Sequence, residues 1–286
     1  MEADDLRRVE GYFDGSRSRQ LFLRSWMPAH PERVLILVHG FGEHGGRYEE
    51  MASWFARRGF AVYAHDQQGH GRSPGKRGHV DHFEEFFDDV ECLISVVAEK
   101  HPGLSRVLVG HSMGGLIVTA MACERRVDVG AIVASGPALS LSPDLSPLKL
   151  TLASLLRRIA PRMAMNAGLN AQGLSTRPEI IEDYLQDPLV HGQVTAAMGA
   201  GMSETIQRME RAVVGLSIPL LLLHGESDPL CQVEGSRRFY ADSERSEGLS
   251  AELLTYPGLM HEIFNEPERE KVYADLYDWV LRMEPT

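Results

Sequence analysis

Ser112 stands in Gly110-His111-Ser112-Met113-Gly114, directly after the aliphatic run Val107-Leu108-Val109 and directly before the apolar stretch 116–123. A Gly-x-Ser-x-Gly joining strand to helix makes a tight turn, strained so that the serine hydroxyl stands in the open. Glycines flank the serine because a Cβ on either side would collide across the turn. The helix that follows points its unpaired N–H groups at the same spot. The chemistry on offer is nucleophilic attack by a serine oxygen. A chance Gly-x-Ser-x-Gly in a loop is the plainer reading, and the strand and helix on either side speak against it.

A serine hydroxyl is a poor nucleophile at neutral pH, so it needs a base, and the base needs an orienting acid. On this kind of turn the partners follow in the order Ser, Asp or Glu, His. Four leucines at 220–223 lead through His224-Gly225-Glu226-Ser227 to Asp228-Pro229. Asp228 is the expected acid, with Glu226 as a rival nearer the strand's end. The run 253–256 leads through Pro257-Gly258 to His261, the expected base. Taken alone, His261 would be an ordinary loop histidine; its place after the last strand gives it the role. The developing oxyanion needs backbone donors. The N–H of Met113 is one, and the N–H of Phe41 in His39-Gly40-Phe41-Gly42 is the other. That loop read blandly is a strand-to-helix glycine turn.

The elements that must hold these residues alternate. A hairpin at 12–13 and 21–26 is followed by an unbroken apolar strand at 34–38, buried on both faces. Helical spacing of Tyr48, Met51, Ala52 and Phe55 ends at Gly59, and a strand at 60–65 follows. Phe83, Phe86, Phe87, Val90, Leu93, Ile94 and Val97 mark a long amphipathic helix. After the serine turn come a strand at 131–135, strands at 218–224 and 252–256, and helices at 233–241 and 269–283. This is an α/β chain: a mostly parallel, eight-stranded, doubly wound sheet. Between 139 and 215 the pattern breaks. Helices are expected at 147–160, 178–186 and 194–213, forming a cap inserted at the strands' carboxyl edge, where such sheets bind ligands. The core is then 1–138 with 216–286.

The chain has 286 residues and a net charge of −11. That charge argues against a nucleic-acid partner, which needs a basic surface. The acidic start carries no apolar signal segment, and no apolar run reaches membrane-spanning length. Cys92, Cys123 and Cys231 are few and unpaired by spacing, which fits a reducing cytoplasm. Cys231, three residues past Asp228, is either a thiol near the pocket or a small packed side chain. His79-Val80-Asp81-His82 is the nearest approach to a metal motif, but Arg77 stands where a further histidine is wanted. No metal or cofactor is called for. Nothing in the sequence fixes an oligomeric state.

With these residues placed, the chain strongly resembles the monoacylglycerol lipase family of α/β-hydrolases, in the serine-aminopeptidase/lysophospholipase-like group. The likeness rests on His39-Gly-Phe-Gly-Glu-His44 with Arg47-Tyr48, His65-Asp-Gln-Gln-Gly-His-Gly-Arg-Ser73, Gly110-His-Ser-Met-Gly-Gly115, His224-Gly-Glu-Ser-Asp-Pro-Leu-Cys231 and the His261-Glu262 region. It implies the α/β-hydrolase fold with a helical cap, Ser112 as nucleophile, Asp228 as acid, His261 as base, and Phe41 and Met113 as oxyanion donors. It also places Glu43 and Arg47 at the polar, substrate-binding end of the pocket. One departure stands out: vertebrate-type members carry a histidine three residues after the catalytic one, and this chain has Phe264.

The implied reaction is hydrolysis of a lipid-like monoester, monoacylglycerol first, through an acyl-enzyme. A lysophospholipid or a short-chain ester is the nearest alternative substrate. Peroxide chemistry, an aminopeptidase and a catalytically silent binding protein stand further off. The inserted segment carries equal numbers of acidic and basic residues, unlike the rest of the chain. Leu148, Leu152, Leu155, Leu156 and Ile159 form one helical stripe there. Met163, Met165, Met198, Met202 and Met209 lie around it, either as a wall for acyl chains or as the underside of a helical subdomain. Arg157, Arg158 and Arg162 add a basic cluster suited to transient contact with a membrane or micelle.

Overall fold

The computed structural model describes residues 6–140, 156–211, 216, 218–245 and 251–283. Eight strands form one sheet: β1 (Arg7–Asp14), β2 (Gln20–Met27), β3 (Arg33–Val38), β4 (Phe60–His65), β5 (Arg106–His111), β6 (Ala131–Ser135), β9 (Leu220–Gly225) and β10 (Glu252–Tyr256). Their order is β1-β2-β4-β3-β5-β6-β9-β10. The hairpin β1–β2 and the β2–β4 pair are antiparallel, and every other pair is parallel. The mostly parallel, doubly wound sheet expected from the alternation is present.

Burial on both faces explains the unbroken apolar strands. Val34, Ile36 and Val38 of β3 join one core layer, while Leu35 and Leu37 join the other. The leucines of β9 divide the same way, 220 and 222 against 221 and 223. Each such side chain contributes about 1.5–3 kcal/mol on burial. The first layer is closed by α2 (Glu84–Lys100) and α3 (Met113–Glu124). The second is closed by α1 (Glu49–Ala56) and α7 (Arg269–Arg282). Helix α6 (Val233–Ser243) lies against β9 and β10. Gly59 ends the α1 region at φ +87°, a conformation that suits glycine.

Between β6 and β9 the chain leaves the sheet. Helix α4 (Pro178–Gln186) falls where the sequence places it, with Pro178 at its start. Helix α5 (Ala196–Arg211) starts two residues later than expected, because Gln193–Thr195 is β8, paired antiparallel with β7 (Ala164–Asn166). This three-residue ribbon carries no sequence alternation long enough to read. Residues 156–159 are helical and Ala160 lies just past the helix, while 147–155 of the helix expected at 147–160 lie outside the described residues, among them Leu148, Leu152 and Leu155.

The methionines of this segment divide. Met198 and Met209 pack into the core layer with α3, while Met163 and Met165 are exposed. None of the four lines the crevice above Ser112. No helix among the described residues is long and apolar enough to cross a membrane.

Candidate active site

Ser112 has φ +55° and ψ −114°, a strained backbone at the end of β5, and it caps α3. A Cβ on Gly110 would come within 2.2 Å of the Gly114 carbonyl, and one on Gly114 within 2.1 Å of the Val38 carbonyl. Both contacts are to backbone, so neither glycine can be larger. The Ser112 N–H donates to the Ser135 carbonyl (2.9 Å), and the N–H of Leu116 donates to the Ser112 carbonyl (2.9 Å). The turn is therefore fixed before any ligand arrives.

Asp228 and His261 follow from the loops after β9 and β10. The His261 Nδ1–H donates to Asp228 Oδ2 at 2.7 Å, and Asp228 Oδ1 accepts the N–H groups of Leu230 (2.8 Å) and Cys231 (2.9 Å). His224 Nε2 donates to the Cys231 carbonyl (2.7 Å) and stands 3.3 Å from the same Oδ2. Burial alone would raise Asp228, but the imidazoles of His261 and His224 and the Cys231 amide hold it far below the usual carboxylate range. His261 is pulled down by burial and pushed up more strongly by Asp228, Glu262 and Glu43, so it titrates above an ordinary histidine. The rival Glu226 is engaged elsewhere, by Arg237 (3.1 Å) and the Thr255 hydroxyl (2.8 Å). Cys231 lies beside the Ser112 side chain, and burial pushes its thiol up, which disfavours a reactive thiolate.

The loop after β3 supplies Phe41. Its N–H donates to no protein acceptor among the described residues, and Met113 opens α3 with its own N–H unpaired by the helix. Gly40, the residue before Phe41, is held through both its backbone groups. His39 Nδ1 donates to the Gly40 carbonyl (2.7 Å), and the Gly40 N–H donates to Glu43 Oε1 (2.6 Å). Because Gln67 N–H donates to His39 Nε2 (2.9 Å), the ring has one tautomer, and burial lowers it to about 4, keeping it neutral. Gly42, at φ +75°, passes so close to His191 that a Cβ would meet its carbonyl at 2.3 Å; the His191 N–H donates to the Gly42 carbonyl (2.8 Å).

Glu43 and Arg47 line the same crevice as Ser112, His261, Tyr184 and Glu262. Arg47 binds Glu262 through two nitrogens (2.5 and 2.9 Å) and reaches Glu43 Oε2 at 3.1 Å, with its guanidinium over the Tyr184 ring at 4.8 Å. Tyr48 O–H donates to Glu43 Oε1 (2.8 Å). The sequence assigns no site role to Glu262, His39 or Tyr184, although His39 and Glu262 stand in the motifs that carry the resemblance. Phe264 turns away from the crevice into the core, against Tyr273. His79 joins Thr195 (2.9 Å), Asp81 (3.1 Å) and Arg162 (3.2 Å), a link between the core and the 139–215 segment.

A second anchor of that segment is Glu266. Fully buried, it accepts hydrogen bonds from the Met260 N–H (2.9 Å), Ser175 Oγ (3.0 Å), the Thr176 N–H and the Thr176 hydroxyl. It therefore ties the His261 loop to the chain entering α4.

Residues 29–268 match the family described as serine aminopeptidase, S33. A monoacylglycerol lipase of Mycolicibacterium smegmatis is 38% identical over 276 residues, covering 96% of this chain and 97% of that relative. The monoglyceride lipase of Homo sapiens is 33% identical over 271 residues, covering 93% of this chain and 88% of that one. The crystal structure of Paleococcus ferrophilus monoacylglycerol lipase superposes with a TM-score of 0.80 at 33% identity, covering 99% of this chain and 100% of that chain. The chain belongs to the monoacylglycerol lipase family of α/β-hydrolases, within the serine aminopeptidase S33 group.

Proposed function

We propose that this chain is a carboxylic ester hydrolase that releases the fatty acid from monoacylglycerol through a serine acyl-enzyme. The observation that carries the reading is the His261–Asp228 pair, 2.7 Å apart, in one crevice with a strained Ser112. The relatives named as monoacylglycerol lipases match nearly the whole chain.

In this reading Ser112 Oγ attacks the ester carbonyl while His261 Nε2 takes its proton. Asp228 keeps the proton on Nδ1 and stabilises the imidazolium that forms. The amides of Phe41 and Met113 receive the oxyanion, already oriented by His39, Glu43 and the start of α3. His261 returns the proton to the leaving glycerol, and water, activated by the same base, frees the acid.

Residues 139–215 serve as the cap. The crevice offers only about 20 Å³, far less than the roughly 300–1,000 Å³ of small-molecule pockets. A long acyl chain therefore enters once the wall of Leu169, Leu174 and Tyr184 gives way. Exposed Ile159, Met163 and Met165 beside Arg157, Arg158 and Arg162 suit transient contact with a membrane or micelle. The three free cysteines are in keeping with a cytoplasmic setting, peripheral at membranes.

Competing 1- and 2-monoacylglycerols, lysophosphatidylcholine and short nitrophenyl esters tests the substrate. The reading expects the highest kcat/KM on a monoacylglycerol. A clear preference for the lysophospholipid or the nitrophenyl ester contradicts it.

A further inference from the structure

The wall of the crevice beside Ser112 carries two carboxylates and one guanidinium. Glu43 and Glu262 are buried, and Arg47 lies between them. Among the described residues Arg47 is the only lysine or arginine that lines the crevice. Its fork is already engaged: Nη1 and Nη2 both reach Glu262, Nη1 also reaches Glu43, and the face of the guanidinium lies on Tyr184. The end of the fork, Nη1 with Nη2, is thereby committed to Glu262 and unavailable to a ligand anion. His111, the other basic side chain here besides His261, is brought to about 4 by burial and by the neighbouring His261, so it adds no positive charge near neutral pH.

The charge is close to the chemistry. A Cβ on Gly40 would stand 2.8 Å from Glu43 Oε1 and 3.1 Å from Ser112 Cβ, so carboxylate and nucleophile flank one glycine. Glu262 directly follows the base. Both sit in a water-poor recess, where an added charge is felt more strongly than at the surface.

Building on the proposed esterase activity, we infer that Glu262, by leaving the Glu43–Arg47–Glu262 group with one net negative charge, selects against esters whose alcohol is anionic. Neutral and cationic alcohols meet no such opposition. The same field acts on the product: the fatty acid leaves Ser112 as a carboxylate facing a negative wall, which hastens its departure. Were Glu262 neutral, the wall would balance and Arg47 would be partly freed for an anion. Glu262 acts here through charge, without touching the reacting atoms.

The test uses three lauroyl esters in one neutral-detergent micelle: lauroylglycerol, lauroylglycerol phosphate and lauroylcholine. The wild-type protein should hydrolyse the phosphate ester with a kcat/KM at least about tenfold below that of the glycerol ester, and the gap should widen at low salt. Glu262→Gln should raise the phosphate-to-glycerol ratio about tenfold and tighten inhibition by laurate, while Glu262→Asp, which keeps the charge, should leave the ratio near wild type. The salt response and the laurate inhibition of the wild type keep the test intact if Glu262→Gln fails to fold. Equal turnover of the glycerol and phosphate esters by the wild type overturns the inference, as does an unchanged ratio in a folded Glu262→Gln. Turnover of lauroylglycerol itself reports on the proposed activity, and the ratio of anionic to neutral ester reports on Glu262.

Discussion

His261 Nδ1 lies 2.7 Å from Asp228 Oδ2, and the other oxygen of that carboxylate is pinned by the N–H groups of Leu230 and Cys231. The pinning gives the pair a direction. An asparagine at 228 would place its carbonyl oxygen on the two amides and turn its NH2 towards Nδ1. His261 would then carry its proton on Nε2, where it can no longer take one from Ser112. Asp228→Asn should lower kcat by roughly 10⁴-fold while the protein stays folded. Steady-state kinetics with circular dichroism checks both parts.

The pH profile follows from His261. It acts as a base only when neutral, and its carboxylate neighbours raise it above 6.5. Activity should fall on the acid side with a midpoint above the ordinary histidine value. Removing one raising carboxylate with Glu262→Gln should move that limb to lower pH. A kcat/KM profile between pH 5 and 9 reads both limbs.

Gly114 is a matter of space. The added Cβ would stand 2.1 Å from the Val38 carbonyl, which is backbone and cannot rotate away. Gly114→Ala should destabilise the fold by about 3 kcal/mol or more, through overpacking where α3 crosses β3. Urea unfolding followed by tryptophan fluorescence measures it.

Buried histidines set the acid stability. Burial lowers His39 to about 4 and His65 to about 3, and His65 has no hydrogen-bond partner on either ring nitrogen. The unfolded chain binds these protons first, so the stability they confer is complete above pH 6.5 and is lost as pH falls towards 4. The Tm should drop between pH 7 and 5, before the carboxylates titrate. His65→Leu should flatten that slope, as scanning calorimetry across the range would record.

The sheet was legible because strands buried on two faces leave unbroken apolar runs, and β10 and α4 fall at the residues expected of them. The three loop residues Ser112, Asp228 and His261 were legible as a set because each follows such a run. The ribbon of β7 and β8 was not, since three residues give no period. The contacts made by Glu262, Glu266 and His39 join positions far apart in the chain or depend on one ring's tautomer, and single side chains of that kind leave no pattern in a sequence. Glu43 and Arg47 line the crevice together with Ser112. The engagement of Arg47 with Glu262 is a long-range contact that no spacing in the sequence shows.

The central claim is that Ser112 carries the chemistry, and one variant addresses it. Monoacylglycerol hydrolysis and fluorophosphonate labelling, followed by intact-protein mass spectrometry, should both be present in the wild type and both vanish in Ser112→Ala. Near-normal turnover by a folded Ser112→Ala, or a label mapped to another residue, would contradict the account.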